Sequence, residues 1–136
     1  MIRSRTIALV TTSLAMLASV AGVRAAMSAD ADHVWLLGRP FGAACAFRQR
    51  FGVPCPNCGM SRSFVIAAHG NFAEAAALNP AGPLLLAGII AAALMLLGAA
   101  APTKNKTVLR WLLPSVLVYA AIYVAVLIGH WLMAIF

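Results

Sequence analysis

Cys55-Pro56-Asn57-Cys58-Gly59 is the one run in this sequence whose residue types and spacing could carry chemistry. Two thiolates separated by two residues can grip one metal ion. The proline shapes the turn, and the glycine permits a positive φ and a close backbone approach. The same spacing lets two thiols form and exchange a disulfide. Gly59 leans toward the metal knuckle, because a thioredoxin-type helix would have to start straight through it. Neither reading is complete. Tetrahedral zinc takes four ligands, and beyond the pair the chain offers Cys45 and, as its nearest histidine, His69. Thioredoxin-type chemistry is usually set on a βαβ framework, and no strand pattern is visible. With three cysteines in an oxidising compartment, the plainest account is a structural disulfide from Cys45 to Cys55 or Cys58. Metal binding and thiol exchange are the alternatives.

Other polar residues are candidates for supporting parts. Arg62 and His69 are seven apart and would share a face of a regular helix, where they could bind an anionic head group or support the cysteines. A solvated face is the plainer use of the pair. Asn79-Pro80 suits a helix start, since Asn caps free N–H groups and Pro is tolerated in the first turn. Ser115, Tyr119, Tyr123 and His130 fall at steps of four, four and seven, one stripe of a helix. Polar groups at membrane depth are costly against lipid, so the stripe should face other helices. Interhelical hydrogen bonding is its commonest use, and a quinone or proton site the sharper alternative.

These residues must be positioned by elements that cross a membrane. The chain of 136 residues is 63% apolar and only 10% charged, with mean hydropathy +0.94. Soluble chains run nearer about 45–50% apolar and about a quarter charged. Ten Lys and Arg stand against three acidic residues, a balance that would also suit nucleic acid. The basic residues, however, are scattered singly at the ends of apolar runs, as membrane orientation requires, so no nucleic-acid partner is expected.

Three segments follow. Residues 7–23 form an apolar run between Arg5 and Arg24, short for a crossing of about 30 Å. It reads as an uncleaved anchor, with a secretory signal peptide as the alternative. Residues 81–101 are apolar throughout, and Gly88 and Ala92 offer the small surface that lets membrane helices approach closely. Residues 112–136 form the third span, with Pro114 in its first turn and Trp111 and Trp131 near its ends. Between the first two spans, residues 24–80 read mostly as loop, ending in two short helical pieces broken at Gly70. Asn71 and Glu74 have capping-box spacing. Both pieces are too short to span, which places them on the membrane surface. Arg3 and Arg5 share a side with Lys104, Lys106 and Arg110. The positive-inside rule makes that side cytoplasmic and the cysteine loop extracytoplasmic.

The ordered run Phe51 to Arg62, followed by His69-Gly70-Asn71, Ala75 and Asn79-Pro80, resembles a family of small bacterial membrane proteins known as domain of unknown function 2752. Its pattern is a CPxCGxTR run, a Gly-Asp or Gly-Asn turn and an Asn-Pro opening a membrane helix, often with an earlier cysteine such as Cys45. The resemblance covers Cys45 to the end, with Ser61 where Thr is commoner. It implies a helical membrane protein of the bacterial inner membrane and supplies no activity.

The reading is therefore an all-α membrane protein of one domain, with three transmembrane helices and short surface helices between the first and second. Its expected function is non-enzymatic: a small accessory or assembly protein. A disulfide or a metal such as zinc holds its CPNCG loop, with Cys45, Cys55, Cys58 and His69 as the ligand set and Arg62 and Asn79 as supporting residues. Its partners would be the lipid bilayer and a membrane protein or a second copy. The alternative is a membrane thiol–disulfide oxidoreductase, with Cys55 and Cys58 as the exchanging pair, Cys45 as a relay and the Tyr119–His130 stripe as a quinone wall.

Overall fold

The computed structural model describes residues 2–30, 33–42, 45–53, 55–100 and 105–136. Three of its helices are long and apolar enough to cross a membrane: α1 (Ile2–Ala26), α5 (Ala81–Ala100) and α6 (Asn105–Ile135). The chain is a multi-pass membrane protein. Three short helices lie between the first and second spans, namely α2 (Ala46–Phe51), α3 (Met60–Ala68) and α4 (Phe72–Leu78). The expected class of fold holds.

Helix α5 is the centre of the molecule, with α1 packed along one side and α6 along another. Both neighbours run antiparallel to it. On α1, Val20 packs near Leu86 at the start of α5, whereas Arg5 and Ala8 lie beside Leu96 and Ala99 at its end. On α6, Ser115 reaches Met95 and Tyr119 reaches Leu84. Arg5 and Leu112 therefore share one end of the bundle, and the cysteine segment occupies the other.

Three local expectations are corrected. The cysteine segment contains strands: β1 (Met27–Ala29), β2 (Val34–Leu36) and β3 (Arg39–Phe41) form an antiparallel sheet in sequence order. Each strand is three residues long, too short to show a period of two. Helix α3 is short, as expected, and well packed. It is wedged among α1, α4, α5 and the sheet, with Met60, Ser63, Val65, Ile66, Ala67 and Ala68 buried. Asn71 and Glu74 form no capping box, because Asn71 at φ −86° and ψ 65° makes no side-chain cap. Finally, α6 begins at Asn105, so Pro114 sits inside it. There it removes the N–H that would have bonded to the Arg110 carbonyl.

The core lies at the cysteine end. Ile66, Ala67, Ala75 and Leu86 are buried together, flanked by Val20, Ala29, Phe64 and Leu78. Two glycines let helices meet along α5. A Cβ on Gly82 would stand 2.1 Å from Ser63 Oγ and 2.9 Å from the Phe64 backbone nitrogen, so α3 crosses α5 at a point that admits no side chain. A Cβ on Gly88 would stand 2.5 Å from the Tyr119 ring. The small surface expected at Gly88 thus receives an aromatic ring of α6.

Candidate functional site

Cys55 to Cys58 forms a tight turn, closed by the Cys58 N–H donating to the Cys55 carbonyl at 2.9 Å. Pro56 supplies the fixed φ that the second position of such a turn favours. The Asn57 N–H points at Cys55 Sγ, 3.3 Å away, a bond that a thiolate or metal-bound sulfur accepts. Gly59 then turns left-handed at φ 77° and leads into α3. Its missing Cβ would face the Leu78 carbonyl at 3.5 Å. The positive φ and close approach expected of this glycine are both present, and the helix starts after the second cysteine rather than between the two.

Cys45 stands immediately before α2 and comes back to the turn. The sulfurs of Cys45, Cys55 and Cys58 all lie within 4.8 Å of one another, and each residue is half-buried. No disulfide joins them here, and the three sulfurs form one cluster. In a tetrahedral zinc site with Zn–S of about 2.3 Å, the sulfurs stand about 3.8 Å apart. The triangle therefore needs to contract by only about 1 Å to seat such an ion. Burial pushes the Cys58 thiol above its ordinary pKa. The hydrogen bond with Cys45 and the charges that Cys45 and Cys55 would carry add to this, against a lowering backbone hydrogen bond at Cys55. Three sulfurs this close resist sharing negative charge, and a bound cation reverses that preference.

The support behind the turn is polar and buried. Asn79 is fully buried. Its Nδ2 donates to the Cys58 carbonyl at 3.0 Å, and its Oδ1 accepts the Ala81 N–H at 3.0 Å. One side chain thus caps the membrane helix, as its position before Pro80 implies, and also holds the cysteine turn. Ser63, equally buried, sets its hydroxyl between the carbonyls of Ala75 at 2.7 Å and Asn79 at 2.6 Å, which share its one hydrogen. Ser63 and Gly82 are the parts the sequence reading missed. A glycine in the first turn of a membrane helix was the signal for the second.

Arg62 stays with the turn, its guanidinium 3.8 Å from where a Gly59 Cβ would be. His69 does not. It follows the last residue of α3, its Nδ1 is 2.9 Å from the Val65 carbonyl, and it lies outside the three-sulfur group. Among the described residues His69 instead lines a polar cleft of about 220 Å³ with Ser28, Asn71 and Glu74. Arg24 reaches the same end of α3, donating to the Ala68 carbonyl at 3.3 Å. The α6 stripe turns inward as expected. The Tyr119 hydroxyl donates to the Leu84 carbonyl, and Tyr123 meets Met60 Sδ at 3.9 Å. Beside them an apolar cleft of about 670 Å³ opens between α5 and α6, lined by Met95, Trp111, Ser115 and Tyr119 among others. Both hydroxyls in it donate to backbone carbonyls.

A family model described as a protein of unknown function (DUF2752) matches residues 45–93. The match runs from the first cysteine to Ala93, about two thirds of the way along α5. The resemblance read from the motif is therefore matched, over a shorter stretch than expected, without α1 or α6. No curated protein and no solved structure matches the chain.

Proposed function

We propose that the DUF2752 segment is a membrane-seated metal-binding module in a small, non-enzymatic accessory protein, with Cys45, Cys55 and Cys58 as thiolate ligands. The observation that carries this reading is the convergence of three sulfurs within 4.8 Å on a turn whose backbone already donates to Cys55. All-sulfur donors suit zinc and other thiophilic ions. The cation would clamp the segment before α2 to the turn before α3, and Asn79 would pass that fixation to the start of α5. With Arg5 and the α5–α6 connection at the cytoplasmic end under the positive-inside rule, the module faces outward from a bacterial inner membrane. The first helix is read as a retained anchor, since Ser13 is fully buried on it and Arg24 bonds to α3.

The second reading, thiol–disulfide exchange, draws on the same cluster, because Cys45 lies within relay distance of both cysteines of the pair. One experiment separates the two. The full chain, purified in detergent without chelator or reductant, should contain about one zinc per molecule. It should release three titratable thiols on denaturation with chelator, and Cys58→Ser should lose the metal. Because the thiols must shed protons to bind, occupancy should fall as pH is lowered. A disulfide between any two of the cysteines in the native protein, with no bound metal, would defeat the proposal.

A further inference from the structure

The β2–β3 hairpin ends in Leu37-Gly38, both with positive φ, 49° and 76°. Two-residue hairpin turns of this kind favour Asn-Gly or Asp-Gly, because a branched L side chain is strained there. Here the first position is leucine, 78% exposed. Strand β3 that follows is exposed at all three residues, Arg39, Pro40 and Phe41, and Phe41 is 56% exposed. A strained, exposed leucine beside an exposed phenylalanine is unfavourable in water.

The height of the turn explains the choice. Helix α1 passes directly into β1, and the Leu37 N–H donates to the carbonyl of Ala26, the last residue of α1, at 2.8 Å. By length and composition, the candidate span of α1 ends at that same Ala26. β1 leaves the membrane and β2 returns, so the hairpin tip is brought back level with the end of a transmembrane helix, the depth of the lipid head groups. A concavity of about 500 Å³ is bounded there by Leu36, Leu37, Arg39, Pro40 and Phe41. Arg39 is the only charged residue from 34 to 42. The nearest acid along the chain described, Asp30, is engaged by the His33 N–H and Trp35 Nε1.

We propose that the Leu37–Phe41 turn is an interfacial anchor that takes an anionic phospholipid of the surrounding bilayer. Leu37 and Phe41 enter the acyl boundary, and the Arg39 guanidinium meets the phosphate. Amphipathic surfaces bind at this boundary through buried apolar area plus attraction to anionic head groups, and the spanning helices already hold the turn at the surface. The anchor sets the cysteine segment at a fixed height over the membrane and does not depend on the metal reading.

The test places a photoreactive benzoylphenylalanine at position 37 of the full chain in nanodiscs of phosphatidylcholine, with or without phosphatidylglycerol. The same probe at Phe41, in ordinary strand geometry, serves where the bulky residue disturbs the turn. The probe should form phospholipid adducts at 37 and 41, as at lipid-facing Leu117, and none at Ser28. Adducts should favour phosphatidylglycerol, and Arg39→Gln should reduce that preference about fivefold. Absence of lipid adducts at both sites while Leu117 labels, adducts only to a second copy of the chain, or a preference untouched by Arg39→Gln would each overturn the proposal.

Discussion

The two sides of α5 are held by different physics. Toward α3 and α4, the helix start is surrounded by buried polar bonds: Asn79 to the Cys58 carbonyl and the Ala81 N–H, and Ser63 to two carbonyls. No buried side-chain nitrogen or oxygen among the described residues lacks a partner. Toward α6, the joint is mainly close approach, with the Tyr119 ring laid on Gly88 and its hydroxyl donating to the Leu84 carbonyl. Along α6, Leu113, Leu117, Val118 and Met133 remain exposed. Lipid tails are as apolar as leucine, so burying such side chains gains little in a membrane. Helix α6 is accordingly left to lipid over most of its surface. The cysteine end stands where water and head groups compete for every backbone group. It is held by directional bonds that specify one arrangement and are costly to leave half made.

The contrast is broken most severely at Gly82. Gly82→Ala places a methyl where Ser63 Oγ and the Phe64 backbone nitrogen already stand, and backbone cannot step aside as a flexible side chain can. Overpacking of this kind costs about 1–3 kcal/mol and occasionally more. The loss of the Ser63 bonds should bring the total to about 4 kcal/mol. Thermal unfolding in detergent should show a large drop in Tm together with weakened metal retention. A variant as stable as the parent would mean that α3 does not cross α5 at this point.

Asn79→Ala should come next. It strands the buried Ala81 N–H and leaves the part-buried Cys58 carbonyl without its partner, at about 1–3 kcal/mol for a buried unsatisfied group. It also removes a support of the cysteine turn, and outer supports of this kind are worth about 10–100-fold in metal affinity. Asn79→Asp keeps the acceptor for Ala81 and loses the donor to Cys58. It should therefore retain more stability than the alanine variant while still weakening zinc binding in a competition titration. Unchanged zinc affinity in both variants would separate the turn from the helix start and end the argument that Asn79 couples them.

How far these features could be read from the sequence follows from the range of the forces involved. Asn79-Pro80 and Gly59 were readable because each does its work within two residues of itself: the Asn79 side chain caps Ala81, and Gly59 takes a positive φ at its own position. The strands were not, since three-residue runs that include a serine, a tryptophan and a proline carry no alternation. Pro40 is tolerated because β3 is an edge strand. The pairing of Arg62 with His69 respected helical periodicity but not helical length. Seven residues at about 1.5 Å each separate them by about 10 Å along the axis, so only Arg62 could stay with the turn. Cys45 joins the pair through the path of the chain between 42 and 55, where no local pattern dictates the return.

The smallest effect is expected on the α6 side, and it is the sharpest check on the contrast. Tyr123 makes a described polar link from α6 to the cysteine end, its hydroxyl meeting Met60 Sδ at 3.9 Å, and a thioether is a weak acceptor. Interhelical hydrogen bonds in membranes average only about 0.6 kcal/mol, so Tyr123→Phe should lower stability by no more than about that amount. Tyr123→Leu should cost somewhat more through lost packing. Leu117→Ala, at a site 60% exposed, should be silent. Zinc affinity should be unchanged in all three, because none touches Asn79 or the turn. If Tyr123→Phe instead lowered stability as much as Asn79→Ala, α6 would be held by directional bonds as firmly as the cysteine end is. The division between a hydrogen-bonded cysteine end and a lipid-exposed, closely approached helix would then fail.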